Sequence, residues 1–289
     1  MWQRWRERFI EKTIAASGMF SIIVVILIFL FLLKEGLALF RTVPMTDFLG
    51  GDRWYPISEP PRFGVLPLIL GSCVVTLGAI VLAVPVSIAS ALFISEIAAG
   101  WAKDALKTGI ELLAAIPSVV LGFLGMAVLA PWIKYLFQLP TGLTALTGSI
   151  ILALMAMPTI VSITEDALAA VPRGYREAAL ALGATRWQMM SRVLLPAARP
   201  GILAAVMLGI GRVIGETMAV MMVTGNAAVI PRSVLQPVRT MTATIAAEMG
   251  EAVRGSDHYF ALFAIGIVLF AISFLLNAAA DLFLHQERH

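Results

Sequence analysis

The sequence reads Glu177-Ala178-Ala179-Leu180-Ala181-Leu182-Gly183, then nine residues, then Val193-Leu194-Leu195-Pro196, in one polar segment between two long apolar stretches. Residues 177–182 are good helix formers, and Gly183 can adopt the positive φ that a tight turn between two helices needs. Thr185 is placed to cap a second helix, which we expect to run to Leu195 and stop at Pro196. The segment, residues 173–196, therefore predicts two short helices joined at a turn, and we name it the elbow.

The composition around the elbow is that of a membrane protein. Of the 289 residues, 60% are hydrophobic and 13% are charged, and the mean hydropathy is +0.91. Soluble domains are about half apolar and about one quarter charged. Six apolar runs each approach or exceed the ~20 residues that a helix needs to cross a bilayer. These runs are Ile14–Leu33, Leu66–Ile97, Ile110–Ile133, Leu143–Ile163, Ile202–Thr224 and Tyr259–Leu284. An all-α, polytopic membrane protein with six transmembrane helices is therefore predicted.

Basic residues are distributed unevenly among the segments between these runs. They are concentrated before the first run, after the second and after the fourth: Arg4, Arg6, Arg8, Lys12, Lys103, Lys107, Arg173, Arg176, Arg186, Arg192 and Arg199. The positive-inside rule then places both termini and the elbow in the cytoplasm. Residues 34–64, rich in Pro, Gly and aromatic residues, become an ordered external loop. We therefore expect an N-terminal helix and external loop, residues 1–64, followed by a transmembrane core with the other five spans, residues 65–285.

A second external segment has a helical pattern. It begins at Arg239-Thr240-Met241-Thr242-Ala243-Thr244 and continues to Glu248 and Glu251. Two interpretations stay open for it: a surface that contacts an external protein, or a solvated helix that covers the core without a partner.

A pair of charged residues lies within the fifth apolar run, in Gly209-Ile210-Gly211-Arg212-Val213-Ile214-Gly215-Glu216-Thr217. A charge at the centre of a spanning helix costs at least ~2.5 kcal/mol and usually faces the protein interior or a water-filled path. In a continuous helix Arg212 and Glu216 share a face, while Gly211 and Gly215 allow a second helix to approach closely. The arginine fork suits a tetrahedral oxyanion. We therefore expect Arg212, Glu216 and Thr217 on the substrate pathway, with Glu216 as counter-charge; a permanent ion pair that fixes helix register is the alternative.

Several other classes of site are disfavoured by the sequence. The phosphate-binding pattern Gly-x-x-x-x-Gly-Lys-Ser/Thr is missing, so the chain is not expected to be an ATP-hydrolysing enzyme. The single cysteine, Cys73, allows no intrachain disulfide, and the three histidines have no metal-ligand spacing. The net charge of +3 comes from basic residues in loops, which favours membrane orientation over nucleic-acid binding. We expect no cofactor, no metal and no nucleic-acid partner.

The elbow resembles the EAA motif, E-A-A-x-x-x-G-x9-I-x-L-P, of permease subunits in ATP-binding-cassette (ABC) importers, with Val193 where the pattern usually has Ile. In that family the motif is a cytoplasmic helix-turn-helix that docks on a separate ATPase. The resemblance implies ATPase coupling by Glu177, Ala178, Ala179, Gly183, Leu195 and Pro196. An amphipathic helix lying on phospholipid is the alternative. We expect Glu177 also to form a surface salt bridge with Arg173 or Arg176.

Three further stretches resemble the phosphate-specific importer permeases of the PstC type. They are Gly209–Ala219, Ile110–Val120 leading to Gly122 and Gly125, and Ala83–Ser87 followed by Phe93–Glu96. The resemblance implies a type I ABC importer permease fold in a bacterial inner membrane and alternating-access import of inorganic phosphate. It also implies a PstA-type partner permease, two ATPase subunits, an external phosphate-binding protein and surrounding lipid. The alternatives are another oxyanion (sulfate or molybdate), a stand-alone anion channel or carrier, or an intramembrane enzyme, for which paired carboxylates and zinc-ligand spacing are missing.

Overall fold

The computed structural model describes residues 2–98 and 100–286 and is built almost entirely of helices. One two-stranded antiparallel hairpin, β1 (Trp54–Tyr55) with β2 (Arg62–Phe63), interrupts them. The helices are α1 (Trp2–Ala38), α2 (Met45–Gly50), α3 (Leu66–Leu92), α4 (Trp101–Ala115), α5 (Ser118–Leu124), α6 (Ala130–Leu136), α7 (Ala145–Ala169), α8 (Arg173–Ala181), α9 (Arg186–Met189), α10 (Leu195–Gly215), α11 (Met218–Val223), α12 (Met241–Glu248) and α13 (Asp257–Gln286).

Six helical stretches of the described chain are long and apolar enough to cross a membrane, which confirms the predicted number. They are Phe9–Arg41, Leu66–Ile97, Ser118–Leu136, Ala145–Ala169, Arg186–Gly215 and Asp257–Ala279. Three of them contain a five-residue π segment, at Phe93–Ile97, Gly125–Leu129 and Met190–Leu194. The chain is thus a multi-pass membrane protein.

The third span begins later than the sequence predicted. Instead of running from Ile110, it begins at Ser118, and α4 forms a separate amphipathic helix with no buried residue. The boundary lies at Ile116, whose backbone is extended (φ −67°, ψ 126°) ahead of Pro117. The proline ring disfavours the helical conformation of the preceding residue, so α4 stops at Ala115.

The second helix of the elbow does not stop at Pro196, contrary to the prediction. It passes through the π segment Met190–Leu194 directly into α10, with Pro196 in the first turn of α10. A proline inside an α-helix removes one hydrogen bond and clashes with the carbonyl four residues earlier. The wider turn of the π segment moves that carbonyl away from the ring. Pro131 follows the π segment Gly125–Leu129 in the same way.

The central core lies between α3, α7, α10 and α11. Small residues bring α3 and α7 together: a Cβ added at Gly78 would lie 2.4 Å from the Ser149 Oγ. That hydroxyl donates toward the Val75 carbonyl at 3.1 Å or the Ala145 carbonyl at 2.9 Å. Close approach over small residues is the usual way for membrane helices to pack, because lipid provides no hydrophobic force between them.

A second core closes the end of the molecule that carries β1 and β2, which we name the hairpin end. It is formed by large apolar side chains of residues 39–68, α12 and the first half of α13: Leu39, Phe48, Trp54, Phe63, Val65, Leu68, Met241, Leu262 and Ile265. Residues 34–64 are therefore ordered, as predicted. Helix α1 packs on α13 through the ring pairs Phe29–Phe270 and Phe31–Phe263, with centroids 4.6 and 5.5 Å apart.

Helix α12 belongs to this core and is not solvated. Met241, Thr242, Ala243 and Thr244 are buried, and the Met241 N–H donates to the Ser72 hydroxyl of α3 at 3.0 Å. Neither a solvated helix nor an exposed contact surface describes the first turn of α12, because its side chains fill space between α3, α11 and α13.

Candidate functional site

The predicted fifth span is broken beside its charged residues. Helix α10 ends at Gly215, Glu216 is extended (φ −69°, ψ 133°), and α11 begins at Met218. Arg212 lies exposed in the last turn of α10, where a cation interacts favourably with the helix dipole. The prediction that Arg212 and Glu216 share a helix face is therefore wrong, because the chain leaves the helix before the turn that would join them is complete.

Glu216 stabilises this break and does not neutralise Arg212. Its Oε1 accepts the backbone N–H of Ala219 at 3.1 Å, which caps α11. Its carbonyl oxygen accepts the hydroxyl of Thr242 from α12 at 2.9 Å. No ion pair within 4.0 Å joins Arg212 to Glu216, and the structure describes both side chains. The expected role of Glu216 as counter-charge is thus not the one that the geometry gives it.

The glycines around Arg212 differ in what they face. Gly209 packs on α7, since a Cβ there would lie 2.6 Å from Ile160. Gly211 and Gly215, predicted to pack closely on another helix, have nothing within 4 Å of an added Cβ. Thr217 is partly exposed and its hydroxyl donates to the Gly215 carbonyl at 3.2 Å. Arg212 therefore lies on an open glycine-lined face of α10.

This open face lies at membrane depth. Helices α10 and α11 run antiparallel along α7, with Gly209 beside Ile160 and Thr224 beside Gly148 near the start of α7. Helix α11 also packs on the third span, where Gly122 meets Ala219. Non-helical backbone at this depth is tolerated only where protein buries it or where it lines a water-filled cavity. The Arg212 face is therefore suited to a water-filled path or to an interface with a second membrane protein.

The turn of the elbow has the predicted geometry. Gly183 has φ +82° and open space around it. The Thr185 Oγ1 accepts the Gln188 N–H at 3.2 Å, and the Gln188 Oε1 accepts the Thr185 N–H at 2.9 Å. This reciprocal capping box fixes the start of α9. The positive φ and the cap together set the angle between the two arms of the elbow.

The elbow presents a mixed polar and apolar surface. Glu177, Ala178 and Pro196 are exposed, whereas Ala179 is buried and Leu195 is partly buried. Leu182 and Trp187 are also exposed, at 89% and 68%. Exposed apolar side chains beside a carboxylate are typical of a protein interface. Among the predicted motif residues, Ala179 and Leu195 hold the elbow to the core, and Glu177, Ala178, Gly183 and Pro196 face outward.

Two ion clusters that the sequence did not predict fasten the helices at this end of the molecule. Arg176 does not pair with Glu177: it binds Glu96, at the end of the second span, at 2.8 Å. The buried Glu165 of α7 accepts Lys107 of α4 at 2.9 Å, and Lys103 lies 3.4 Å away. The hydrogen bond from Lys107 to Glu165 and the charge of that carboxylate raise the pKa of Lys107. A carboxylate two residues after the end of an apolar run, as at Glu165, was the available sequence signal.

A third cluster joins the parts of the hairpin end. Both carboxylate oxygens of Glu248 accept the indole N–H of Trp54, at 3.0 and 3.2 Å. The same carboxylate binds Arg239 at 2.5 Å and the Nε2 of His258 at 2.9 Å. One side chain of α12 therefore connects the hairpin, the loop before α12 and the start of α13. Among the described residues, no group of three or more His, Cys, Asp or Glu side chains could hold a metal ion.

Comparison with known proteins agrees with this architecture. Residues 83–288 match the family model described as "binding-protein-dependent transport system inner membrane component". The chain is 43% identical over 264 residues to the probable ABC transporter permease protein YqgH of Bacillus subtilis, covering 91% of this chain and 85% of that protein. It is 39% identical over 253 residues to the phosphate transport system permease protein PstC of Mesorhizobium japonicum, with 81% and 76% covered.

Solved structures show the same fold at low sequence identity. A bacterial ABC transporter involved in the import of the acidic polysaccharide alginate has a TM-score of 0.66 at 17% identity, covering 98% of this chain and 99% of that chain. An inward-facing MetNI methionine ABC transporter has a TM-score of 0.58 at 21% identity, covering 77% and 94%. The chain is therefore an ABC importer permease by fold, and it belongs to the family of binding-protein-dependent transport system inner membrane components, among relatives that include the PstC permeases.

Proposed function

We propose that this chain is the transmembrane permease subunit of an ATP-driven importer of inorganic phosphate and that it moves the anion inward by alternating access. The observation that carries the proposal is sequence identity to PstC phosphate permeases, 39% in Mesorhizobium japonicum and 32% in Haemophilus influenzae, the latter over 94% of this chain. An arginine on an open face at membrane depth supports an anionic cargo, because its fork gives two hydrogen bonds to a tetrahedral oxyanion.

In this proposal Arg212 is the transient anion contact, with Glu216 and Thr217 shaping the pathway around it. Glu216 acts indirectly: its carboxylate caps α11 and so holds the break open next to Arg212. The guanidinium then attracts an oxyanion without competition from an adjacent carboxylate. A single cation on an open face binds weakly enough for the anion to leave again, as conduction requires.

Each proposed partner is assigned to one exposed surface of the chain. The elbow, with Glu177, Ala178, Gly183 and Leu182 exposed, docks on an ATPase, of which the importer has two copies. A PstA-type permease covers the Arg212 face, and a phosphate-binding protein delivers the anion at the hairpin end. Both termini and the elbow are cytoplasmic in a bacterial inner membrane. Residues 1–64 act as an N-terminal appendage to a transporter core formed by residues 65–285.

Uptake of radiolabelled phosphate by cells that lack the chromosomal copy of this chain tests the cargo. Restoring the wild-type chain restores uptake, and excess unlabelled phosphate competes while excess sulfate or molybdate does not. Competition by sulfate or molybdate alone would reassign the cargo to that oxyanion. Uptake that persists after deletion of the cognate ATPase would point to a channel or a secondary carrier.

Arg212→Gln tests the pathway role. The substitution keeps a polar side chain but removes the charge and the fork, so phosphate uptake falls at least 10-fold while the complex still assembles. Arg212→Lys restores part of the uptake, because lysine is a point charge without the bidentate geometry. Lys12→Gln, which removes an exposed cation of α1 outside the elbow and the hairpin end, is the control and leaves uptake unchanged. Wild-type uptake by Arg212→Gln would remove Arg212 from the pathway.

A further inference from the structure

Arg176 uses its whole guanidinium to join three helices. Its Nε and Nη2 bind the Glu96 carboxylate, with distances of 3.2 and 2.8 Å to Oε1. Its Nη1 donates to the Val171 carbonyl at 2.8 Å, and its Nη2 also donates to the Leu168 carbonyl at 2.9 Å. Arg176 lies on α8, Leu168 in the last turn of α7, and Glu96 at the end of the second span.

The surroundings of this cluster make it stronger than an ordinary surface ion pair. The side chains of Arg176 and Glu96 are only 20% and 10% exposed. Nε and Nη2 both approach the Oε1 of Glu96, and the cation also binds the carbonyls of Leu168, in the last turn of α7, and Val171, just after it. A planar guanidinium with fixed donors allows little relative movement of the groups that it joins.

The cluster matters because α8 has few other attachments. Ala179 is the only residue of α8 that is buried. The other arm of the elbow, α9, needs no such attachment because it continues through Met190–Leu194 into α10 as one helix. A force on the elbow therefore reaches the fifth span through the backbone. It reaches the fourth span through the three-residue connection 170–172, to which Arg176 adds side-chain bonds, and it reaches the second span through the ion pair of Arg176 with Glu96.

We propose that Arg176 is a positioning residue for transport: it makes α8 move as one body with the elbow-side ends of α3 and α7, and so transmits the movement of the elbow to two spans. The inference rests on the proposed function in that it takes the elbow to be the surface on which an ATPase acts. Without the cluster, α8 follows the ATPase while the end of the second span stays behind, and only the connection 170–172 still joins α8 to the fourth span.

Arg176→Gln in the reconstituted complex with ATPase and partner permease tests this. The expected result is ATP hydrolysis within 2-fold of wild type and a fall of at least 10-fold in phosphate transported per ATP hydrolysed. Arg176→Lys keeps the charge but not the fork, and recovers this ratio in part. Lys12→Gln is the control, since it removes an exposed cation of α1 outside the elbow, and it leaves the ratio unchanged. A wild-type ratio in Arg176→Gln would overturn the proposal, as would a parallel fall of hydrolysis and transport.

Glu96→Gln keeps the inference testable if Arg176→Gln does not assemble. It removes the carboxylate charge but leaves Arg176 its two carbonyl acceptors, and the transport ratio should fall by an intermediate factor. Hydrogen exchange gives a readout that needs no phosphate. On ATP addition, amides of residues 91–97 and 164–171 change their exchange in wild type but not in the Arg176→Gln or Glu96→Gln complex. If residues 91–97 and 164–171 of the variant complexes still change their exchange on ATP addition as in wild type, the positioning role is rejected. If the wild-type complex shows this change in exchange but transports no phosphate, only the assignment of phosphate as the cargo is rejected.

Discussion

The hairpin end and the elbow end of the molecule attach their outer helices in different ways. At the hairpin end, large apolar side chains from residues 39–68, α12 and α13 form a closed core around Trp54, which is 2% exposed. At the elbow end, α4 has no buried residue and α8 has one, and ion clusters centred on Arg176 and Glu165 fasten these helices to the spans. Both ends have an apolar core, but at the elbow end α4 contributes no buried residue to it and α8 contributes only Ala179.

Because of this difference, we expect the hairpin end to matter mainly for stability and the exposed helices of the elbow end to matter mainly for transport. Burial of apolar area contributes about 25 cal/mol per Å², so the core residues of both ends stabilise the fold, whereas α4 and the exposed face of α8 contribute little of this kind. Exposed helices contribute less to stability but remain free to bind another protein. Substitutions at the hairpin end are therefore expected to lower the amount of folded protein, and substitutions at the elbow end to lower transport by protein that is still folded.

Trp54→Ala is expected to have the largest effect. It removes a buried aromatic side chain and leaves Glu248 without its indole donor, which costs about 3–5 kcal/mol of unfolding free energy. Thermal unfolding in detergent should show a large loss of stability and a low folded yield. Tyr55→Ala is the control, since the neighbouring ring is 53% exposed and its loss should change stability little. Equal effects of the two substitutions would contradict a closed core at this end.

Glu248→Gln should have the next largest effect. The amide oxygen can still accept from Trp54, but the charge that pairs with Arg239 and His258 is lost. Hydrogen bonds to charged groups contribute about 1.5–3 kcal/mol, and the unfolding free energy should fall by that amount. Glu251→Gln, exposed three residues later, should leave the thermal midpoint in place. A midpoint that moves as far for Glu251→Gln would show that the cluster has no special role.

Gly183→Val is expected to affect transport more than folding. A β-branched residue resists the positive φ of this turn, at a cost of about 1–3 kcal/mol, although the space around it is open. The protein should insert in normal amounts, but the angle between α8 and α9 changes and uptake is lost. Asparagine tolerates positive φ, so Gly183→Asn should keep most of the uptake. Normal uptake by Gly183→Val would show that the turn geometry does not matter.

Thr185→Ala should have the smallest effect. It removes the cap of α9, which is worth about 1 kcal/mol, and Thr185→Ser keeps the capping oxygen. Uptake by Thr185→Ala should fall less than 2-fold, measured beside the serine variant at equal protein amounts. Loss of uptake comparable with Gly183→Val would mean that the cap, and not the turn, sets the geometry of the elbow.

Local features of the chain were predictable from sequence. The turn at Gly183 and the cap at Thr185 depend on residues within a few positions of each other, and the structure has both. The six spans follow from hydropathy summed over long windows, which is insensitive to detail. For the same reason the breaks were missed: residues 209–224 are continuously apolar apart from two charges, and nothing in their hydropathy marks the end of α10.

Contacts between distant residues were not predictable. Trp54 and Glu248 are separated by 194 positions, and Arg176 and Glu96 by 80. The break at Glu216 depends partly on Thr242, which comes from α12. Arg176 binds Glu96 and not Glu177, and Glu216 caps α11 and does not face Arg212, so the sequence analysis gave Glu177 and Arg212 the wrong counter-charge.

The π segment Met190–Leu194 also shifts the rotational phase of the helix that follows it. A π segment accommodates one additional residue in a turn, and each residue of an α-helix advances by about 100° around its axis. Every side chain of α10 therefore points about 100° away from where an uninterrupted α-helix starting at Arg186 would have aimed it. The direction in which Arg212 points around the helix axis is therefore set about twenty residues upstream, by the π segment inside the elbow.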